Sequence, residues 1–190
     1  MYLTKLNIDK NLLRKVKIDD KYQAHQLVYS FFPQRKNDRI LFRINEDHIL
    51  IQSIIPPDLS SFHDFEFSLK QLNKTFDDGV VLKFDIIINP TRKTRENKNR
   101  IGIVDEKERE SWFSYQANKF GYEVLYLEDF GYEMKKIKKQ DCNFTVIENR
   151  LCGVLKVVDS DKFNDLFRKG LGSGKSLGYG MFCVAPCESI

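Results

Sequence analysis

The chain has 190 residues, of which 42% are hydrophobic and 31% charged, and carries a formal net charge of +4. That length can bury a substantial core in one large or two small domains, and that composition excludes a disordered chain. The opening "MYLTKLNID" alternates apolar and polar residues straight after Met1, and no apolar run approaches bilayer-spanning length. No signal segment or membrane span is therefore expected, and the expected location is the cytoplasm.

In chain order, residues 2–8 read as a strand and 19–32 as a helix stopped by Pro33. Strands over 39–45 and 48–55 follow, joined by a turn at Asn45-Glu46-Asp47. "PPDLSSF" allows at most one short helical turn before a strand in "DFEFSLKQL", so the first half reads β-α-β-β-(α)-β. A strong buried strand over 80–89 opens the second half. Next comes a helix over 105–121, with Trp112, Phe113, Gln116, Ala117 and Phe120 at helical spacing and Gly121 at its end. Residues 122–148 are ambiguous, because the lysine-rich "YEMKKIKKQ" does not alternate cleanly. A strand over 150–159, a helix over 160–170 capped by Ser160 or Asp159, and a closing strand in "GYGMFCVA" complete a second copy of the pattern. The expected fold class is α+β: two tandem ferredoxin-like (RRM-like) βαββαβ domains over 1–75 and 76–190, with "NKTFDDG" as the linker.

Charge is gathered rather than spread. "NPTRKTRENKNRI", residues 89–101, holds Arg92, Lys93, Arg95, Lys98 and Arg100 against the single Glu96, and Lys135, Lys136, Lys138 and Lys139 form a second group. Clustered cations are the footprint of a polyanion, because each phosphate contact releases counterions and the contributions accumulate. Cys142, Cys152, Cys183 and Cys187 lack the paired short spacings of a zinc site, and three histidines leave few other ligands, so no metal is expected.

"RKGLGSGKSLGYGMF", residues 168–182, contains "GKS" without being a phosphate-binding P-loop. Counting back from Gly174 by the P-loop spacing lands on Lys169 instead of glycine, and a strand follows where a P-loop opens a helix, so no nucleotide cofactor is expected. Five glycines exceed what a helix cap and a strand bend require. They are expected to bring backbone N–H groups of Gly170, Gly172, Gly174 and Gly178 against a phosphate backbone, with Lys169 and Lys175 flanking. On the first helix, Tyr22, His25 and Tyr29 fall on one arc beside the apolar stripe of Ala24, Leu27, Val28 and Phe31. An imidazole there can take the proton of a ribose 2′-OH or supply one to a leaving 5′-oxygen, although such a pairing also serves plain packing.

"MYLTKL", "YQAHQLVYSFFP", "NPTRK", "SWFSYQANKFGY", "CGVLKVVDSDKF" and "GLGSGKSLGYGMF" together resemble, in order and spacing, the CasE family of CRISPR-RNA-processing endoribonucleases of type I-E systems. The resemblance implies a metal-independent enzyme without cofactor that cuts CRISPR repeats at the base of a hairpin, keeps the product, and joins the other subunits of a Cascade complex. It implies His25 and Tyr22 as the catalytic pair, Asn89 to Arg100 as an RNA-binding loop, and Gly170 to Gly180 as the family's glycine loop. The chain departs from its relatives in having Asn99-Arg100-Ile101-Gly102 where they carry Lys-Arg before Pro, and Ser173 where they often place Arg. Two other classes compete: a non-catalytic RNA-binding module of tandem RRM-like domains, and a structural assembly subunit. "RILFRIN" and "HILIQSII" lack the aromatic pattern that base stacking on a sheet requires.

Overall fold

The computed structural model describes residues 1–18, 20–36, 38–94, 99–139 and 142–187. The first unit contains β1 (Tyr2–Asn7), α1 (Lys10–Lys15), α2 (Lys21–Ser30), β2 (Ile40–Ile44), β3 (His48–Ser53) and β4 (Phe67–Gln71). Its antiparallel sheet has the order β2-β3-β1-β4. The second contains β5 (Val81–Ile88), a ribbon of β6 (Thr91–Lys93) and β7 (Arg100–Gly102), α3 (Glu106–Phe120), β8 (Tyr122–Lys139), β9 (Cys142–Val157), α4 (Ser160–Lys169), a 3-10 turn at Lys175–Leu177 and β10 (Phe182–Pro186). Its main sheet has the order β10-β5-β9-β8. In both sheets the unit's first strand lies between its third and fourth, which is ferredoxin-like connectivity.

Each sheet buries one face under helix. Ala24 and Val28 of α2 and its C-cap Phe31 pack with Phe42, Ile49 and Ile51 in the first core. Phe113 of α3 and Phe163 of α4 pack with Phe84, Leu155 and Phe182 in the second. Where at most one short helical turn was expected in the first unit, the chain forms turns over 60–65, and their aromatics do the packing of a second helix. Phe62 meets Phe31 edge-on at 4.7 Å between ring centres. The short helix α1, absent from the sequence reading, is fixed by an Asp9 cap on the Leu12 N–H and by the fully buried Leu12.

The ambiguous stretch after residue 121 resolves into β8 and β9, an antiparallel pair that runs from Tyr122↔Val157 to Lys139↔Cys142. Register shifts fall between Val124 and Tyr126 and between Asp129 and Tyr132. Asp129 is anchored there by Arg109 of α3, at 2.8 Å, with both side chains almost fully buried. The far half of this hairpin extends past α3 and reaches α2 of the first unit. The units also meet where Arg43 Nη1 lies 2.8 Å from Asp85 Oδ1 and where Gln52 Nε2 donates to the Phe167 carbonyl at 2.7 Å.

Candidate active site and RNA interface

Asp20 starts α2 by accepting hydrogen bonds from the Tyr22 and Gln23 N–H groups at 2.9 and 3.3 Å. With Ala24, Leu27 and Val28 turned into the core, the adjacent arc presents Tyr22, His25 and Tyr29. The His25 ring stacks 6.0 Å from Tyr22 and lies closer, at 4.2 Å, to Tyr29. Sequence spacing put both phenols on this arc without showing that Tyr29 is the nearer. Tyr22 also packs against Ile137, Val146, Leu177 and Tyr179. A cavity of about 160 Å³ opens here, lined by Tyr22 and His25 of α2, Ile137 and Phe144 of the long hairpin, and Ser176 and Leu177 of the glycine loop.

The glycine loop is more structural than its composition suggests. Gly170, Gly172, Gly174, Gly178 and Gly180 all have φ between +73° and +90°, a region that side chains rarely enter. A Cβ on Gly180 would lie 2.1 Å from the Leu171 carbonyl oxygen, and one on Gly178 would press on the Phe42 ring at 3.0 Å. The fold therefore accounts for all five glycines, and their number is no argument for a phosphate. Gly170 and Gly178 are buried, which corrects the expectation that they face a ligand. Gly172, Ser173, Gly174, Lys175 and Ser176 keep exposed surface. Ser173 fixes this tip to the end of β5 by donating to the Asn89 carbonyl at 3.0 Å, while Asn89 Oδ1 accepts from the Ile147 N–H at 3.1 Å.

Beyond Asn89 the basic segment forms the β6–β7 ribbon, with Lys93 opposite Arg100 and Arg92 opposite Ile101. Lys93 and Arg100 are exposed, whereas Arg92 shares its charge with Glu108, 2.8 Å away. Arg95 and Lys98 lie outside the described residues. Lys169 sits on the exposed surface of α4, paired with Asp165 at 2.9 Å, and lines neither the cavity nor the groove next to it. That groove, about 610 Å³, runs past Asn89, Thr91, Arg100, Ser173 and Gly174, and shares Phe144, Ser176 and Leu177 with the His25 cavity. The imidazole is thus contiguous with the arginine-bearing ribbon and the glycine tip.

Lys175 is half-buried beside them. Desolvation, and after it the neighbouring Arg39 and Arg100 guanidiniums, holds its pKa below the ordinary lysine value. Arg39, exposed at the entry to β2, was missed in the sequence, because only sheet-to-loop packing brings it near Lys175. A larger polar cleft of about 750 Å³ lies between the units, lined by Lys21, Arg43, Asp85, Glu148 and Arg150 among others. Its charges pair internally. Burial works against the Asp85 carboxylate, but hydrogen bonds from Arg43 and Arg150 outweigh it and hold the group below the usual carboxylate range. Among the described residues, no three His, Cys, Asp or Glu side chains converge as a metal site, and no helix is long and apolar enough to cross a membrane.

Residues 1–186 match the family model described as "CRISPR associated protein". This chain belongs to that family. It is 27% identical to the CRISPR system Cascade subunit CasE of Escherichia coli (strain K12), over 98% of this chain and all of that one. It is 23% identical to the CRISPR-associated endoribonuclease Cse3 of Thermus thermophilus, again over 98% of this chain and all of the relative. Among solved structures, CRISPR endoribonuclease Cse3 bound to 19 nt RNA superposes with a TM-score of 0.88 at 21% identity, covering 98% of this chain and 100% of that one. Cas6e from E. coli K-12 does so at 0.79 and 24%, with coverage of 98% and 100%. Together these establish tandem ferredoxin-like units as the fold of this family member.

Proposed function

We propose that this chain is a metal-independent endoribonuclease that cuts CRISPR precursor RNA at the base of the repeat hairpin, keeps the product and works within a Cascade complex in the cytoplasm. The observation that carries the reading is the shared wall between the His25 cavity and the basic groove. The names of the relatives, an endoribonuclease and a Cascade subunit, support it. The ribose 2′-OH attacks the adjacent phosphorus, the bond to the 5′-oxygen breaks, and a 2′,3′-cyclic phosphate and a 5′-OH result. His25 takes the 2′-OH proton or delivers one to the leaving oxygen, Tyr22 orients the reacting phosphate, and Tyr29 braces the imidazole from its other side. Lys175 is the best-placed cation to offset charge on the phosphorane, since the next residue, Ser176, lines the cavity. Lys93, Arg100, Arg39 and the tip at Gly172–Gly174 hold hairpin phosphates, with Arg92 able to join by leaving Glu108.

Incubation with a repeat hairpin in EDTA tests the reaction class. Cleavage leaving a cyclic-phosphate end is expected. Binding without cleavage would mark an RNA-binding module, and cleavage that returns only with added Mg²⁺ would refute the metal-independent mechanism.

Lys175 offers a second check. Because its pKa is depressed in the fold, the charged form costs stability at neutral pH, and that cost fades as pH rises from the depressed value toward the ordinary one. Lys175→Met is therefore expected to raise the thermal midpoint at neutral pH while weakening hairpin binding. A variant that melts earlier and binds as well as the native chain would assign Lys175 to the fold instead.

A further inference from the structure

One carboxylate gathers three elements where the first turn of α2 meets the second sheet. Glu148 of β9 holds Lys21 Nζ at 2.8 Å, and Tyr179 Oη donates to the same oxygen, Oε2, at 3.0 Å. The other oxygen, Oε1, lies 4.0 Å from Lys135 Nζ on β8. Lys21 Nζ also sits 5.1 Å from the centre of the Tyr179 ring. The side chains of Lys21 and Glu148 are only 13% and 21% exposed, so their attraction is screened less than on an open surface. Tyr179 is fully buried between Gly178 and Gly180.

Each partner belongs to an element that also walls the His25 cavity. Lys21 precedes Tyr22 and stands one helical turn before His25; Tyr179 follows Leu177 by two residues; Lys135 precedes Ile137 by two. Glu148 itself does not line the cavity. The polar contacts Arg43 with Asp85 and Gln52 with Phe167 attach the first sheet to β5 and α4, whereas the first turn of α2 is seated by the packing of Tyr22 against Ile137, Val146, Leu177 and Tyr179 and by the Lys21–Glu148 pair. We infer that Glu148 is a positioning residue for cleavage: by tying α2 to the glycine loop and to β8 it sets the distance between His25 and the surface that carries the RNA. The inference rests on the reading of His25 as the proton-transfer group.

The test compares single-turnover cleavage, hairpin affinity and thermal midpoint for the full chain and four variants. Glu148→Gln keeps the volume and can still accept from Tyr179, but removes the charge that Lys21 pairs with, while Lys135 keeps its partner Glu133. Its cleavage is expected to fall roughly 10- to 100-fold, as for a misplacement of about an ångström. Hairpin affinity should hold or rise, since a negative charge has gone. Lys21→Met should slow cleavage comparably, and Lys21→Met/Glu148→Gln should be no slower than the worse single variant, because the two act as a unit. Cleavage by Glu148→Gln at the native rate, losses that add in the double variant, or a fall in affinity that parallels the fall in rate would each overturn the role. If Glu148→Gln does not fold, Tyr179→Phe takes its place. It removes one oxygen and should slow cleavage by roughly 3- to 10-fold, as for a lost hydrogen bond; a native rate there sinks the idea. If the native chain binds the hairpin without cutting it, the reading of His25 fails instead, which keeps the two failures apart.

Discussion

His25→Ala is expected to slow cleavage of a repeat hairpin by about 10²- to 10⁴-fold and to leave hairpin affinity nearly unchanged. The size of the loss reflects what an imidazole supplies: its protonation changes near neutrality, so one side chain can accept a proton from a 2′-OH or return one to a departing 5′-oxygen. The selectivity of the loss follows from geometry. His25 lines the small cavity, whereas the cations expected to hold the duplex line or border the adjoining groove. Because His25 is only partly buried and belongs to no core cluster, the alanine variant should melt close to the native midpoint. Undiminished cleavage by the variant would remove His25 from the mechanism, and a parallel loss of affinity would recast it as a binding residue.

The second large effect is expected from Arg39, Lys93 and Arg100 changed together to alanine. All three are exposed, so the fold should tolerate their removal. Hairpin affinity should fall roughly 10- to 100-fold at moderate salt, and the slope of log affinity against log salt should flatten by about one unit for each phosphate no longer held. Arg92→Ala alone should cost less, because Glu108 already neutralises part of that charge. Titration of both proteins at several salt concentrations separates the outcomes. An unchanged slope would show that this surface does not meet phosphate.

The parts of this molecule that were readable in the sequence are those that bury a repeating stripe. The 3.6-residue periodicity of Ala24, Leu27, Val28 and Phe31 located α2, and with it the arc that carries His25. The expected start was one or two residues early, since the cap is Asp20. The apolar run of β5 and the Gly121 stop of α3 were equally plain. The long hairpin was not, for a physical reason: its far half projects beyond α3, where residues such as Glu133, Met134 and Lys136 are exposed and no alternation is imposed. The ribbon strands β6 and β7, of three residues each, are too short to carry a period. The glycine loop misled by count, because the sequence cannot show that five separate positions each turn through positive φ. Arg39 and Glu148 escaped because their importance lies in contacts across the chain, which no local pattern announces.

The reach of β8 and β9 into the neighbouring unit has one more implication. His25 rides on one module while four of the six residues lining its cavity belong to the other, so on the proposed mechanism catalytic competence is a property of the seam. Neither module expressed by itself is expected to cleave, and a substitution that loosens how they seat, however remote from the scissile bond, is expected to slow the pair.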